Sequence, residues 1–477
     1  MAGAHGQRTD AVEKGRSSDP QRPGPAQRPG PGTLDPADCG GLVDELRRLA
    51  RRVGLAAVGI APATPMEATR RVLEERRAAG LAGGMQFTYR NPARSTEPTR
   101  VLPGATALVV GAWRYGDRES RARGAGRKGA GGGAWPSRGS VGPSCDGVGP
   151  SCAVEPRDGV GQVLEHGLDR PGEGGLDRPV EAGRPVGTVA RYARQDHYRD
   201  LRTALGALAE HLVQAGWSAR VVADDNALVD RAAAERAGLG WFGKNSNILL
   251  PGQGSWFILG SVVTDAPLPP DQPVGDGCGP CRRCIGSCPT GALVSPGVLD
   301  ARRCLAWLLQ APGVFPFEYR DALGDRIYGC DDCQEVCPAN RAAARLAAPR
   351  AASAASPAST EGTAVDLLDM LAAPDEVLLA SYGRWYIARR DPRYLRRNAL
   401  VVLGNVADGR APAVQATLYR YLTGPDEMLQ AHAVWAACKL GRRDLLERVP
   451  GLLDDPSELV QDELRRQRWA GPREACH

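Results

Sequence analysis

The residues best suited to chemistry are cysteines crowded into one stretch. "CGPCRRCIGSCPT" sets Cys278, Cys281, Cys284 and Cys288 at spacings of three, three and four, with Pro289 after the last. Further on, "YGCDDCQEVCP" adds Cys330, Cys333 and Cys337, followed by Pro338. C-x2-C-x2-C-x3-C-P is the run of bacterial two-cluster ferredoxins, in which three near thiolates bind one [4Fe–4S] cube and the fourth binds the other. That arrangement demands a partner run. The second run lacks only its first cysteine, which Cys304 in "DARRCLAWL" can supply. We expect Cys278, Cys281, Cys284 and Cys337 on one cluster, and Cys288, Cys304, Cys330 and Cys333 on the other. Zinc favours paired C-x2-C knuckles, and two Cys-Pro-terminated runs argue against it.

Eight of the thirteen cysteines lie in this window; Cys39, Cys145, Cys152, Cys438 and Cys476 are scattered. Such clustering points to metal rather than a disulfide framework. Two adjacent cubes carry single electrons. Joined to a long mixed helix-and-strand segment, they are expected to feed a second redox centre. "GLGWFGKN" (238–245) comes close to two phosphate-loop patterns. Both need a strand before and a helix after, and here a helix precedes and a strand follows.

The elements that must position these groups read as several domains, as 477 residues require. The net charge of +5 is mild, so a nucleic-acid surface must be local. No apolar run reaches the roughly 18 residues of a membrane helix. Residues 1–38, rich in Pro, Gly and Arg without an apolar h-region, read as a disordered tail and not a secretory signal, so a cytoplasmic monomer is expected. Residues 39–270 read as an α/β domain interrupted by a patternless, disordered insertion at 116–186. "SNILL" and "SWFILGSVVT" flank "PGQG" as a hairpin. A ferredoxin-like domain spans 271–340, a linker 341–360 and a helical domain 361–470. In the last, 395–408 and 429–442 superimpose at a period of 34, matching Leu395 to Leu429, Ala399 to Ala433 and Leu400 to Val434. That period suits a HEAT-like α-solenoid. The fold class is thus multidomain, α/β and α+β.

Taken together, "RYARQDHYRDLR", "VVADDNALVDRAAAERAGLGWFGKNS", "DRIYGCDDCQEVCP" and "LRRNALVVLGN" resemble the epoxyqueuosine reductase family, from about residue 41 onward and outside 116–186. The resemblance implies a cobalamin-dependent iron–sulfur enzyme that reduces the epoxide of epoxyqueuosine, at the tRNA wobble position, to queuosine. Two [4Fe–4S] clusters and an external electron donor would supply the electrons. It implies base-off cobalamin, and the Asp-x-His-x-x-Gly signature of histidine-ligated cobalamin is absent around all six histidines. It places the proton donor at Asp224, which also ends the strand "ARVVAD", where α/β sheets present ligand groups. Asp196 is the rival acid and is placed in the corrin pocket. Arg94, Ala190, Arg191, Asn245, Ser246 and Ile248 match corrin-lining segments, and Arg231 is expected to face tRNA. A reductive dehalogenase-like enzyme on a small substrate and a plain electron carrier are the alternatives.

"RWYIARRDPRYLRR" (384–397) includes Arg389, Arg390, Arg393, Arg396 and Arg397, interleaved with Trp385, Tyr386 and Tyr394. Arginines neutralise phosphates and aromatic rings stack on unpaired bases, so this stretch is the expected tRNA surface.

Overall fold

A computed structural model describes residues 36–115, 183–346 and 363–469. Cys145, Cys152 and Cys476, and most of the tail, insertion and linker, lie outside the described residues. The first helix starts at Pro36. Helix Pro338–Leu346 runs into the expected linker.

A four-stranded sheet runs in the order Ala57–Pro62, Ala107–Arg114, Phe257–Thr264, Ala219–Val222, with every pairing antiparallel. Phe257–Thr264 is buried at every position, because helices cover both faces. On one face Leu201, Leu205, Leu208 and Leu212 of helix His197–Gln214, with Leu42 and Leu46 of Pro36–Arg52, pack on Val109 and Val262. On the other, Ala232, Ala233 and Ala234 of helix Asp230–Arg236 meet Val110, Leu259 and Val263. Alternate strand residues serve the two layers, as the pleat requires. The antiparallel order corrects the expected α/β class: this unit is α+β. The expected hairpin is also corrected. Ile248–Leu249 pairs with Trp241–Phe242, while Phe257–Thr264 joins the large sheet. Only a single bridge, Leu250 to Gly254, spans the intended turn.

A second sheet sets Val186–Val189 between Arg326–Tyr328, parallel, and Ala364–Asp366, antiparallel. It therefore draws one strand from each of the three expected domains. One apolar core follows from it: Val189, Leu305, Phe315 and Ile327 pack with Leu367, Leu395, Leu400 and Val434. The expected boundaries at 270 and 341–360 are crossed by this core. Helices Arg393–Val406 and Glu427–Lys439 start 34 residues apart, 393 to 427, and all six residues of the sequence repeat are buried.

Arg397 locks the cysteine segment onto these helices. It is fully buried and donates to the carbonyl oxygens of Leu308, Leu309, Ala311 and Gly313 at 3.1, 3.3, 2.7 and 2.6 Å. Burial lowers its pKa to about 9.

Candidate active site and metal centres

The eight cysteines of 278–337 sort themselves by proximity into two sets. Burial raises the Cys284 thiol, and the charges that raise it further are those of Cys337, Cys278 and Cys281. Burial also raises Cys333, followed by Cys330, Cys304, Asp331 and Cys288. Cys304, raised by burial, feels Cys288 in turn. Each set of four thus holds cysteines near enough to act on one another's charge, and the grouping is the one the two Cys-Pro runs predict for two cubes.

The "GLGWFGKN" segment docks on the cysteine loops. The Lys244 ammonium donates to the Gly279 carbonyl, and the Asn245 amide donates to the Cys333 carbonyl at 3.4 Å.

Strand Ala219–Val222 ends before Asp224, which sits at φ +54° on the turn leading to helix Asp230–Arg236. Left-handed backbone is uncommon for any residue with a Cβ, and its occurrence at a polar loop residue is a pointer to function. Asp224 is open to solvent, yet protein crowds it enough that desolvation raises its carboxyl pKa, against the pull of Arg202. Its backbone N–H donates to Asp230 Oδ2 at 3.4 Å. Asp225 accepts from the Ala227 N–H at 2.8 Å, so the turn-capping role falls to Asp225 and not to Asp224. Asp196, the rival acid, caps helix His197–Gln214 by accepting from the Arg199 N–H at 3.0 Å.

Around Asp224 stand Tyr198 and Tyr115, which sequence reasoning missed, and Arg231, which it assigned to tRNA. Burial raises the Tyr198 hydroxyl well above its ordinary range, helped by Asp224 and Asp230. Tyr115 is raised likewise by burial and by Asp331; the nearby charge of Arg231 acts in the other direction. Arg231 also lies near enough to lower Cys304. Although exposed, Arg231 therefore lies at the seam between the Asp224 turn and the second cysteine set. Position at strand and helix ends, next to the marked Asp224, was the signal available for these residues.

A cavity of about 1270 Å³ opens beside this seam, lined by Ala190, Arg191, Trp256, Gly329, Cys330 and Asp331, among others. The Arg191 guanidinium lies 4.5 Å over the Trp256 ring and pairs with Glu335 at 2.7 Å. Asp331 accepts from the Arg191 N–H at 2.7 Å; its Oδ1 is buried with no partner, and burial pushes its pKa up to about 6. Gly329 is obligatory at the wall: at φ +74°, a Cβ there would stand 2.5 Å from that of Ala190.

Of the expected corrin residues, the cavity gathers only Ala190 and Arg191. Arg94 instead borders a separate hollow of about 390 Å³ with Phe87, Asn91 and Asn226. Asn245 is buried at the cysteine seam, and Ser246, at φ +64°, donates to the Gly297 carbonyl at 3.1 Å. The Ile248 side chain is buried among Leu239 and Leu250, so a corrin contact at this position would come from its main chain.

Within the basic stretch, Arg397 is corrected: its buried side chain cannot reach tRNA. Arg393 is held by Asp391 and Asp426, and Arg396 is half-buried against Asp375. Trp385 stacks between Tyr328 and Tyr382, and Tyr394 is buried. Arg389 and Arg390 remain exposed on a left-handed turn at φ +54° and +55°, beside exposed Tyr386.

Residues 277–340 match the family described as 4Fe-4S double cluster binding domain. The chain is 36% identical over 275 residues to an epoxyqueuosine reductase of Bacillus anthracis, covering 57% of this chain and 70% of that one. It also superposes with a TM-score of 0.69, at 25% identity, on a crystal structure of epoxyqueuosine reductase with an epoxyqueuosine-modified tRNA-Tyr stem loop, covering 90% of this chain and 98% of that one. The Bacillus subtilis epoxyqueuosine reductase, at a TM-score of 0.68, 25% identity and coverage of 90% and 98%, has been seen with its aspartate-bearing catalytic loop swung out of the active site.

Proposed function

The chain belongs to the epoxyqueuosine reductase family, and on that footing we propose that it reduces epoxyqueuosine to queuosine in tRNA, with Asp224 as proton donor. The net change takes two electrons and two protons, converts the epoxide to the alkene and releases its oxygen as water. The observation that supports this reading is that the second cysteine set lies between two features: it borders the large cavity at Cys330, and its Cys304 feels the charge of Arg231, the residue next to Asp230 at the end of the Asp224 turn.

Cys278, Cys281, Cys284 and Cys337 would hold one [4Fe–4S] cluster, and Cys288, Cys304, Cys330 and Cys333 the other. Cobalamin suits the cavity on two counts. Its volume exceeds the roughly 300–1,000 Å³ of drug-sized ligand sites, and the orphaned Asp331 oxygen leaves a polar partner unmet. Ala190 and Arg191 would hold the corrin, with Asn245 and Ser246 contributing at the seam. When bound, base-off cobalamin supplies the redox chemistry at cobalt. The protein's own part is then to orient the substrate, exclude water behind Tyr115 and Tyr198, and deliver a proton from Asp224 Oδ to the departing oxygen. A tRNA substrate supports a cytoplasmic activity, in which an external donor would feed the clusters. Among the described residues no helix is long and apolar enough to cross a membrane. Turnover of epoxyqueuosine-containing tRNA by reconstituted protein and a chemical reductant, with and without cobalamin, tests the proposal. Turnover that needs no cobalamin would refute the cofactor assignment, and none in either case would refute the function.

For tRNA, Arg389 and Arg390 are the best supported contacts, with Arg231 nearer the chemistry. Their turn is pinned to the cavity rim: Trp385 Nε1 donates to the Ala193 carbonyl at 2.8 Å, and the Tyr386 N–H donates to the Tyr328 hydroxyl at 2.8 Å. Exposed Tyr386 meets Phe87 edge-on at 5.1 Å. The helices beyond, at their 34-residue spacing, read as HEAT-like repeats that back this rim. Arg389→Glu with Arg390→Glu is expected to raise the tRNA KM about tenfold or more. The slope of log affinity against log salt should fall by about 1.4, at about 0.7 per lost contact to single-stranded RNA. Unchanged affinity at physiological salt would remove this turn from the binding surface.

A further inference from the structure

The Asp230 carboxylate meets the Asp224 turn: one oxygen accepts the Asp224 N–H and the other is buried. The loop joining strand Ala219–Val222 to helix Asp230–Arg236 is tethered unevenly. Its far half is fixed to Ser95, whose hydroxyl donates to the Asn226 carbonyl at 2.5 Å and whose carbonyl accepts from the Val229 N–H at 3.1 Å. Its near half carries Asp224 in the left-handed region, where backbone persists only if its surroundings hold it. Two side chains do so. Arg202 donates to the Ala223 carbonyl at 3.2 Å, and Asp230 Oδ2 accepts the Asp224 N–H at 3.4 Å. The other oxygen, Asp230 Oδ1, is buried with no hydrogen-bond partner. A buried, half-satisfied carboxylate costs stability, so packing alone does not account for it. The groups that face it are Asp224, Arg231 and Asp225, and the Tyr198 hydroxyl lies close by.

We propose that Asp230 is the latch of the Asp224 loop, a positioning residue that keeps the acid turned inward by holding its backbone amide. The proposal rests on the reading of Asp224 as the acid. The related reductase whose aspartate-bearing loop is seen swung out shows that such a loop has an outer position. In this chain the outward swing would break the Asp224–Asp230 bond and relax the left-handed turn, while Ser95 holds the far half as the pivot.

The test uses the cluster-loaded enzyme with cobalamin, and reads backbone amide hydrogen exchange at 223–229 beside steady-state kinetics. In Asp230→Ala the Asp224 amide should exchange about five- to tenfold faster, the loss of one hydrogen bond. The kcat should fall by a similar factor, with tRNA KM and iron content unchanged. Asp230→Asn keeps an oxygen acceptor at the same place and should restore both readouts to within about twofold. Asp230→Ser, too short to reach the amide, carries the same test if the alanine variant fails to fold. Wild-type exchange and kcat in the short variants would overturn the latch. So would an asparagine variant as impaired as alanine, since charge and not the acceptor would then matter. Full activity in Asp224→Asn would instead defeat the acid assignment, and faster loop exchange in Asp230→Ala would still support the latch.

Discussion

Asp224→Asn is expected to lower turnover ~10²–10⁴-fold, the usual worth of a positioned general acid, while iron and cobalamin contents stay at wild-type levels. The substitution is isosteric, and asparagine tolerates left-handed backbone as well as aspartate does, so the φ +54° turn should survive. What is lost is the proton. A general acid works in its protonated form, so activity is present below its pKa and lost as pH rises through it. Desolvation raises the Asp224 pKa, with Arg202 opposing, which extends the active range upward from the ordinary carboxylate range. The wild-type kcat should therefore fall on its alkaline side, and the residual rate of Asp224→Asn should lack that limb. Asp196→Asn is the control. Asparagine caps a helix as well as aspartate, so His197–Gln214 should hold and turnover should remain near normal. A collapse in Asp196→Asn with near-normal Asp224→Asn would transfer the acid role.

How legible this site was depended on whether the needed information was local. The cysteine runs were legible because cluster ligation imposes fixed short spacings. Asp224 was reached through family resemblance. The supporting physical argument, that α/β sheets present ligands at strand ends, does not hold for an antiparallel sheet. The basic stretch misled for a physical reason. Arg397 and Arg389 look alike in sequence, but Arg397 is swallowed by carbonyls of 308–313, which no local pattern announces. Val186–Val189 was assigned to the domain preceding it in the chain, whereas its partners lie at 326–328 and 364–366. Nothing in the local sequence marks Asp230; its buried orphan oxygen is a tertiary fact.

Cys304→Ala is the variant that most sharply tests the cluster assignment. Anaerobic reconstitution of the wild type should give about eight iron and eight acid-labile sulfide per chain, from two four-iron cubes. Cys304 is the one assigned ligand outside both Cys-Pro runs. Burial raises its thiol, and the Trp307 and Ala306 backbone N–H groups and the charge of Arg231 only partly offset this. Its neighbours Cys288, Cys330 and Cys333 cannot complete a four-thiolate cube without it. Iron should therefore fall from about eight to about four, and tRNA turnover should vanish, because the lost cluster is the one whose Cys330 borders the cavity. The set around Cys284 shares none of these ligands, so the remaining iron should keep the absorption and spin signature of a single four-iron cube. Cys438→Ala, a half-buried thiol of the C-terminal helices, should leave iron at about eight. Full iron in Cys304→Ala would break the second set, whereas one or two metal atoms per wild-type chain without sulfide would overturn both cubes.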